Sequence, residues 1–293
     1  KNPKSPRVYK LLGTAYVLFN HEEEALIEMN RARELAPDDA EVHFNLGGLY
    51  LLRDMFTSAM DSFEKVIELD PTDTMAYANL AAAYDMLKLY DKSIISLKKV
   101  LLFNPEDKEL RAALSNAYFN AERYEEAVNA AQVVVEIDDK DPQAFCNLGN
   151  CYSVLSMVDD AIGAFKQASE LAPDYSLPHT NLGTLYANMG RPETALKEFK
   201  LAVGMNSQDT AAWLNLYNCY KEVGLMEDSQ NAYRKYEALM EAPALASTGA
   251  TEGENPSNIP GGVSQTGGYA GGGDMDGNAP GMEALTDEEP GTS

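Results

Sequence analysis

The chain is poor in positive charge. Its 293 residues include 23 Lys and Arg against 46 Asp and Glu, which gives a formal net charge of -23. Binding to nucleic acids or to anionic membrane surfaces depends on Lys and Arg that neutralise phosphate charge. The composition therefore predicts that nucleic acid is not a partner.

Long apolar runs and cysteines are scarce as well. No apolar stretch approaches the roughly 20 residues that a membrane-spanning helix needs, so the sequence predicts no membrane insertion. The three cysteines, Cys146, Cys151 and Cys219, are odd in number and show no CxxC spacing. This pattern argues against a disulfide framework and against a zinc site. It favours a reducing compartment, so a cytoplasmic location is expected.

Residues suited to catalysis or metal binding do not cluster along the sequence. The three histidines, His21, His43 and His179, are too scattered for a metal site or a catalytic triad. Carboxylates are abundant, but none forms a pair in the apolar surroundings that acid-base catalysis needs. The sequence therefore predicts no metal, no cofactor and no enzymatic activity.

A strict 34-residue repeat organises most of the chain. A Leu recurs seven times without any insertion, and a Tyr follows it four residues later in every copy. A small residue comes nine positions after the Tyr, and a mostly bulky apolar residue four positions after that. Internal repeats of this length are typical of solenoid proteins. The repeated Leu positions are Leu12, Leu46, Leu80, Leu114, Leu148, Leu182 and Leu216.

Each repeat has the apolar pattern of two amphipathic helices. The spacing i, i+3, i+4, i+7 occurs twice per unit, which predicts a helical hairpin. In the sixth unit, Gly190 suits the left-handed end of the first helix, and Pro192 suits the first turn of the second. A Pro such as Pro37 ends most units, and an Asp or Thr after it is suited to cap the next helix. The predicted units are residues 6–39, 40–73, 74–107, 108–141, 142–175, 176–209 and 210–240.

The repeat resembles the tetratricopeptide repeat family, whose 34-residue unit has an aromatic, Leu-Gly, Tyr, Ala, Phe, Ala and Pro at fixed positions. The resemblance implies an all-α fold, a right-handed superhelical α-solenoid of helix-turn-helix repeats. It also implies a protein-interaction scaffold or adaptor, with the first helix of each hairpin lining a concave groove. In the fifth unit the family pattern is Phe145, Leu148-Gly149, Tyr152, Ala161, Phe165, Ala168 and Pro173.

Both ends of the chain depart from the repeat. Pro3 lies 34 residues before Pro37, so residues 1–5 are predicted to end a preceding, truncated repeat. Residues 241–293 carry nine acidic residues, no Lys or Arg and many Gly and Pro, which predicts a disordered tail. The tail is either a flexible linker or, at residues 282–289 (MEALTDEE), a short acidic docking segment.

Amide side chains recur on the helix face that the resemblance assigns to the groove. An Asn side chain offers one acceptor and two donors, so it can bond both the N–H and the C=O of a peptide unit. A second amide or hydroxyl row, three residues after the first, lies on the same helical face. The predicted peptide-binding residues are Asn45, Asn79, Asn147, Asn181 and Asn215 in the first row and Asn116, Asn150, Thr184 and Asn218 in the second.

These rows are similar to the asparagine ladder in the repeat superhelix of O-GlcNAc transferases, which implies binding of an extended peptide segment. The fold does not need this Asn in every repeat, since Leu11 and Ala113 replace it in the first and fourth. The alternative is that the amides cap or bridge neighbouring helices. Two other functions stay open: the substrate-recognition region of a larger enzyme, and a structural subunit that self-associates, so homo-oligomerisation is possible.

Overall fold

A computed structural model describes residues 5–241, which form fourteen α-helices and contain no strand. Residues 1–4 and 242–293 lie outside this part, and with them most of the predicted truncated repeat and of the predicted tail. The helices are α1 (Pro6–Leu18), α2 (Glu22–Leu35), α3 (Ala40–Leu52), α4 (Phe56–Leu69), α5 (Thr74–Met86), α6 (Tyr90–Leu101), α7 (Lys108–Asn120), α8 (Tyr124–Ile137), α9 (Pro142–Val154), α10 (Val158–Leu171), α11 (Ser176–Asn188), α12 (Pro192–Met205), α13 (Thr210–Val223) and α14 (Met226–Glu241).

The helices stack in chain order, which confirms the prediction of an all-α solenoid of helical hairpins. Every helix packs against the one before it and the one after it. Further contacts join first helices to first helices, as between α1 and α3, α3 and α5, α9 and α11, and α11 and α13. First helices of neighbouring repeats therefore lie side by side along one face of the stack. Within residues 5–241, no helix is long and apolar enough to cross a membrane.

The repeated small residue of the first helix packs directly against a large side chain of the second helix. An ideal Cβ placed on Gly149 would lie 2.6 Å from the ring of Phe165, and one on Gly183 would lie 2.6 Å from Phe199. Both rings are at most 1% exposed. The glycine side chain is a single hydrogen, and this small size allows the two helices of these hairpins to enclose a phenylalanine.

The other repeats fill the same space with different pairs of residues. In the third repeat the pair is Ala81 and Leu97. In the fourth it is Ser115 and Ala131, and Ala131 is smaller than Leu97. In the seventh repeat both residues are large, and the rings of Tyr217 and Tyr233 lie with their centroids 5.0 Å apart. From the Gly and Phe pairs to the pairs of the third and fourth repeats, the second residue becomes smaller as the first becomes larger, as expected for side chains that share one space in the core, whereas the seventh repeat departs from this pattern.

Aspartates cap most of the first helices. Each side chain accepts a hydrogen bond from a backbone N–H of the first helical turn, and such a cap contributes about 1 kcal/mol. The predicted capping role of residues near the unit boundary is thus confirmed for aspartate, although Tyr175 precedes α11 and provides no side-chain cap. The capping residues are Asp39, Asp73, Asp107, Asp141 and Asp209.

A left-handed residue ends the first helix of every hairpin. Gly190 has a φ of 68°, which confirms the conformation predicted for it. The residue after it donates its N–H to the carbonyl of Tyr186, closing the helix end with a 2.9 Å hydrogen bond. The sequence did not reveal that five other repeats place a residue with a Cβ at this strained position. The full set is Asn20, Asp54, Lys88, Glu122, Ser156, Gly190 and Gly224.

Replacing the strained Lys88 or Glu122 by Gly is expected to stabilise the solenoid. Their φ values of 59° and 60° place the Cβ in an unfavourable contact with the following carbonyl, which costs roughly 1–2 kcal/mol. Gly removes this cost but loses more backbone entropy on folding. The net gain should be about 0.5–1 kcal/mol, measured as a higher urea midpoint. Gly190→Ala is the reverse control, and a midpoint that does not fall in this variant would contradict the explanation.

Candidate functional site: the groove face of the first helices

Four amides of the first predicted row are open to solvent. Asn45, Asn79, Asn147 and Asn215 are half-buried on α3, α5, α9 and α13. Within the described part of the chain their side chains make no hydrogen bond, and none of their polar atoms is sealed from solvent without a partner. Their donors and acceptors are therefore available to a ligand.

Asn181, the fifth member of the first row, is engaged within the protein. Its amide nitrogen donates to the side-chain oxygen of Asn150 at 3.0 Å and lies 3.4 Å from the sulfur of Cys146. These contacts join α11 to α9, the first helix of the preceding repeat. At this one place the amide bridges neighbouring helices, as the alternative interpretation of the row expected.

The second row is only partly open. Asn116 is half-buried and Asn218 is exposed, and neither side chain makes a hydrogen bond among residues 5–241. The hydroxyl of Thr184 donates to the carbonyl of Thr180 at 2.9 Å, which leaves it only an acceptor for a ligand. Asn150 accepts from Asn181 and keeps its amide donors. The open amides therefore lie mainly in the first row.

A row of exposed apolar side chains, missed from the sequence, follows the amides on the same helices. It lies seven residues after the first row, and spacings of three and seven residues keep side chains on one helical face. Counting seven residues from Asn45, Asn79 and Asn147 would have revealed three members of this row, and the fourth stands in the same relation to Leu11. Its apolar members, with their exposed fractions, are Leu18 (78%), Leu52 (63%), Met86 (51%) and Val154 (46%).

Asn79 lies at the edge of a hollow of about 180 Å³ between α5, α7 and the end of α6. Met75, Leu110 and Phe103 provide apolar walls. Phe103 is 65% exposed, so its ring presents a large apolar surface to solvent. The hollow thus places an apolar pocket directly beside an open amide.

Two charged residues of the first helices, Lys10 on α1 and Asp85 on α5, are not open to a ligand. Lys10 contacts Asp39 at 3.1 Å and Glu41 at 2.5 Å. Burial lowers the pKa of Lys10, but the hydrogen bonds to these carboxylates outweigh it and raise the pKa overall. Asp85 is mostly buried, and burial raises the pKa of its carboxyl to about 6. Neither of these two charges is therefore freely available to a ligand.

The cysteines and two of the histidines are used in packing. Burial raises the pKa of the Cys146 thiol to about 12 and that of Cys151 to about 11, so both are poor nucleophiles near neutral pH. A ring nitrogen of His43 lies 2.8 Å from the carbonyl of Pro37, and one of His179 lies 2.8 Å from Glu198. In residues 5–241 no group of three or more His, Cys, Asp or Glu is arranged to hold a metal ion.

Family models of the tetratricopeptide repeat match three segments of the chain. One model matches residues 62–95 and 164–197, and another matches residues 40–73. These segments lie in the second, third, fifth and sixth predicted units. No curated protein sequence matches the chain.

Several solved structures share the fold. A tetratricopeptide repeat protein from Parabacteroides merdae ATCC 43184 is 15% identical, with a TM-score of 0.68, and the alignment covers 82% of this chain and 95% of that one. YrrB, described as having an unusual peptide-binding site, is 24% identical, with a TM-score of 0.52 and coverage of 63% and 95%. MamA from Desulfovibrio magneticus RS-1 is 22% identical, with a TM-score of 0.55 and coverage of 58% and 96%. At these identities the likeness concerns the fold alone.

Proposed function

We propose that this chain, whose solenoid consists of tetratricopeptide repeats, is a protein-interaction scaffold that binds an extended peptide segment along its first helices. One observation carries the proposal: Asn45, Asn79, Asn147 and Asn215 are open and make no hydrogen bond within residues 5–241. A structural amide would be expected to have a partner in the protein, as Asn181 does.

The chemistry of the face suggests what kind of segment binds. A row of amides recognises main-chain N–H and C=O groups, which every extended peptide presents. Leu52, Met86 and Val154, exposed beside the amides, would contact apolar side chains of the same peptide. The hollow next to Asn79 would hold one such side chain. The expected partner is therefore an extended segment with apolar residues and little net charge.

YrrB supports the proposal, because a protein of the same fold is described as having a peptide-binding site. We infer no catalytic role for this chain. The buried Cys146 and Cys151 are uncharged near neutral pH, which makes them poor nucleophiles.

Replacing the open amides should weaken binding without affecting the fold. The probe is a 12-residue peptide selected on the full chain from a random displayed library. In the triple variant Asn79→Ala, Asn147→Ala, Asn215→Ala, its affinity should fall about 10- to 150-fold, since each lost hydrogen bond is worth roughly 0.5–1 kcal/mol. The melting temperature should stay unchanged, because these amides bond nothing in residues 5–241. Fluorescence anisotropy and circular dichroism measure the two quantities.

Asn181→Ala is the matched control, because it removes an amide that bonds to Asn150 across two helices. This variant should lower the melting temperature. A peptide with methylated backbone nitrogens should bind the wild-type chain weakly and should distinguish it little from the triple variant. The proposal fails if the triple variant keeps its affinity for the unmodified peptide, or if its melting temperature falls as that of Asn181→Ala does.

A further inference from the structure

A cavity of about 680 Å³ lies in the last two repeats, between α12, α13 and α14. It is separate from the amide rows, and we refer to it as the C-terminal cavity. Val203, Trp213 and Tyr220 contribute apolar and aromatic surface to its lining. Lys200 and Lys235 contribute positive charge, and they are joined by Arg234. The cavity thus combines an apolar floor with three cations, against one carboxylate, that of Asp228.

The three cations are free of carboxylate partners within residues 5–241. None of them makes an ion pair, and the amine of Lys200 lies 5.3 Å above the ring of Tyr220. Lys65 and Lys108, in the second and fourth repeats, each contact two carboxylates. In a chain with twice as many acidic as basic residues, three unpaired cations around an apolar cavity form a site suited to an acidic segment with apolar side chains.

We propose that the C-terminal cavity binds residues 282–289 of the same chain. This segment, MEALTDEE, holds four carboxylates, at Glu283, Asp287, Glu288 and Glu289. Met282 and Leu285 are three residues apart, a spacing that places two apolar side chains on one side of a helical turn. Carboxylates would pair with the cations while these two side chains contact Trp213 and Val203. The proposal does not depend on peptide binding in the groove.

The segment is tethered within reach of the cavity. Lys235 and Ala238 line the cavity, and α14 ends at Glu241, roughly 10 Å beyond Lys235 at the helical rise per residue. Residues 242–281 connect α14 to the segment and are rich in glycine. A glycine-rich chain of this length spans roughly 35 Å on average, and tethers of this kind give effective concentrations of about 1 mM. Even a weakly binding segment would therefore occupy the cavity in most molecules.

Trp213 reports directly on the occupancy, because it lines the cavity and is the single tryptophan of the chain. The measurement is acrylamide quenching of its fluorescence in the full chain. Neutralising the segment with Glu283→Gln, Asp287→Asn, Glu288→Gln and Glu289→Gln should increase the quenching constant about twofold, since most cavities would then be open. Raising NaCl to about 0.5 M should have a similar effect, because salt screens the ion pairs.

The tail offers a matched control with the same change of charge. Glu252→Gln, Glu254→Gln, Asp274→Asn and Asp276→Asn also remove four carboxylates and should leave the quenching unchanged. A peptide of residues 280–291, added to the neutralised chain, should restore the protection. In a second test, Lys200→Gln, Arg234→Gln and Lys235→Gln should expose Trp213 in the otherwise unchanged chain, with circular dichroism as the check on folding.

Two results would overturn the proposal. Equal quenching in the target variant, the control variant and the wild type would show that residues 282–289 do not cover Trp213. Protection that increases with protein concentration would show that the tail of a second copy occupies the cavity, because docking within one chain does not depend on concentration.

Discussion

Gly183→Ala is expected to lower the free energy of unfolding by about 2 kcal/mol, because the new methyl group has no space in the core. Its Cβ would lie 2.6 Å from a ring carbon of Phe199, much closer than two carbon atoms can approach. The ring is 1% exposed and is enclosed by Leu216 and Tyr220 of the next repeat, so it cannot move away without displacing them. Urea denaturation followed by circular dichroism measures the loss.

Phe199→Leu should rescue the Gly183→Ala variant. The double variant reproduces the Ala and Leu pair that the third repeat has at Ala81 and Leu97. Phe199→Leu alone leaves a cavity above Gly183 and should also destabilise, by roughly 1 kcal/mol. In the double variant the methyl group fills part of that cavity, so its loss should be clearly smaller than the sum of the two single losses. Additive losses would show that the two positions do not share one space.

Asp85→Asn is expected to stabilise the protein at pH 7, by roughly 1–3 kcal/mol. The Asp85 carboxyl is mostly buried, and one of its oxygens has no hydrogen-bond partner in the described residues. Burial raises its pKa from 3.8 to about 6, because the charged form loses its hydration. The nearby Ser93 hydroxyl lowers the pKa of Asp85 and so offsets part of the effect of burial. The two groups do not have the geometry of a full hydrogen bond. An amide is uncharged at every pH and so avoids the cost.

The pH dependence distinguishes this cause from a simple change in packing. Since the folded state binds the Asp85 proton more tightly than the unfolded state, this group stabilises the fold fully below pH 3.8 and loses its contribution as the pH rises through about 6. The gain from Asp85→Asn should therefore be large at pH 7 and vanish near pH 4. Unfolding midpoints between these values measure it. A variant that is less stable than the wild type at pH 7 would contradict the assignment.

Ser93→Ala serves as the control for the Asp85 prediction. Five of the other six repeats have Ala at this position, so the substitution fits the core. Without the hydroxyl, which lowers the pKa of Asp85, the carboxyl should titrate at higher pH. The gain from Asp85→Asn should therefore level off at a higher pH in the Ser93→Ala background, and it should be larger at pH 7 than in the wild-type background.

The candidate site contains two asparagines that the sequence pattern does not distinguish but the structure does. Asn147 and Asn181 occupy the same position in consecutive repeats, and each has an Asn exactly 31 residues before it, at Asn116 and Asn150. Only Asn181 bonds to that partner. The sequence predicts both amides equally well as ligand contacts, since the pattern is identical. The difference arises from the relative placement of two helices, which depends on all the side chains packed between them.

The exposed apolar row was missed in the sequence for a different reason. Leu52, Met86 and Val154 follow the amides at a constant spacing, so the sequence contained the signal. Apolar residues on a helix are usually interpreted as core, and only their exposure in the stacked repeats shows that they are open to solvent. Their place beside the open amides, and the hollow next to Asn79, extend the candidate site beyond the predicted rows.

The sequence by itself determined the class of fold, because a 34-residue apolar period can be satisfied only when each hairpin buries its faces against its neighbours. It also determined the core positions and the left-handed turn at Gly190. The tertiary structure alone decided, within residues 5–241, which amides are free, that an oxygen of the Asp85 carboxyl is buried, and that three cations without ion pairs line one cavity. The reason is physical: a period reflects interactions that recur in every repeat, whereas hydrogen bonds, burial and cavities depend on distances between particular side chains of different helices.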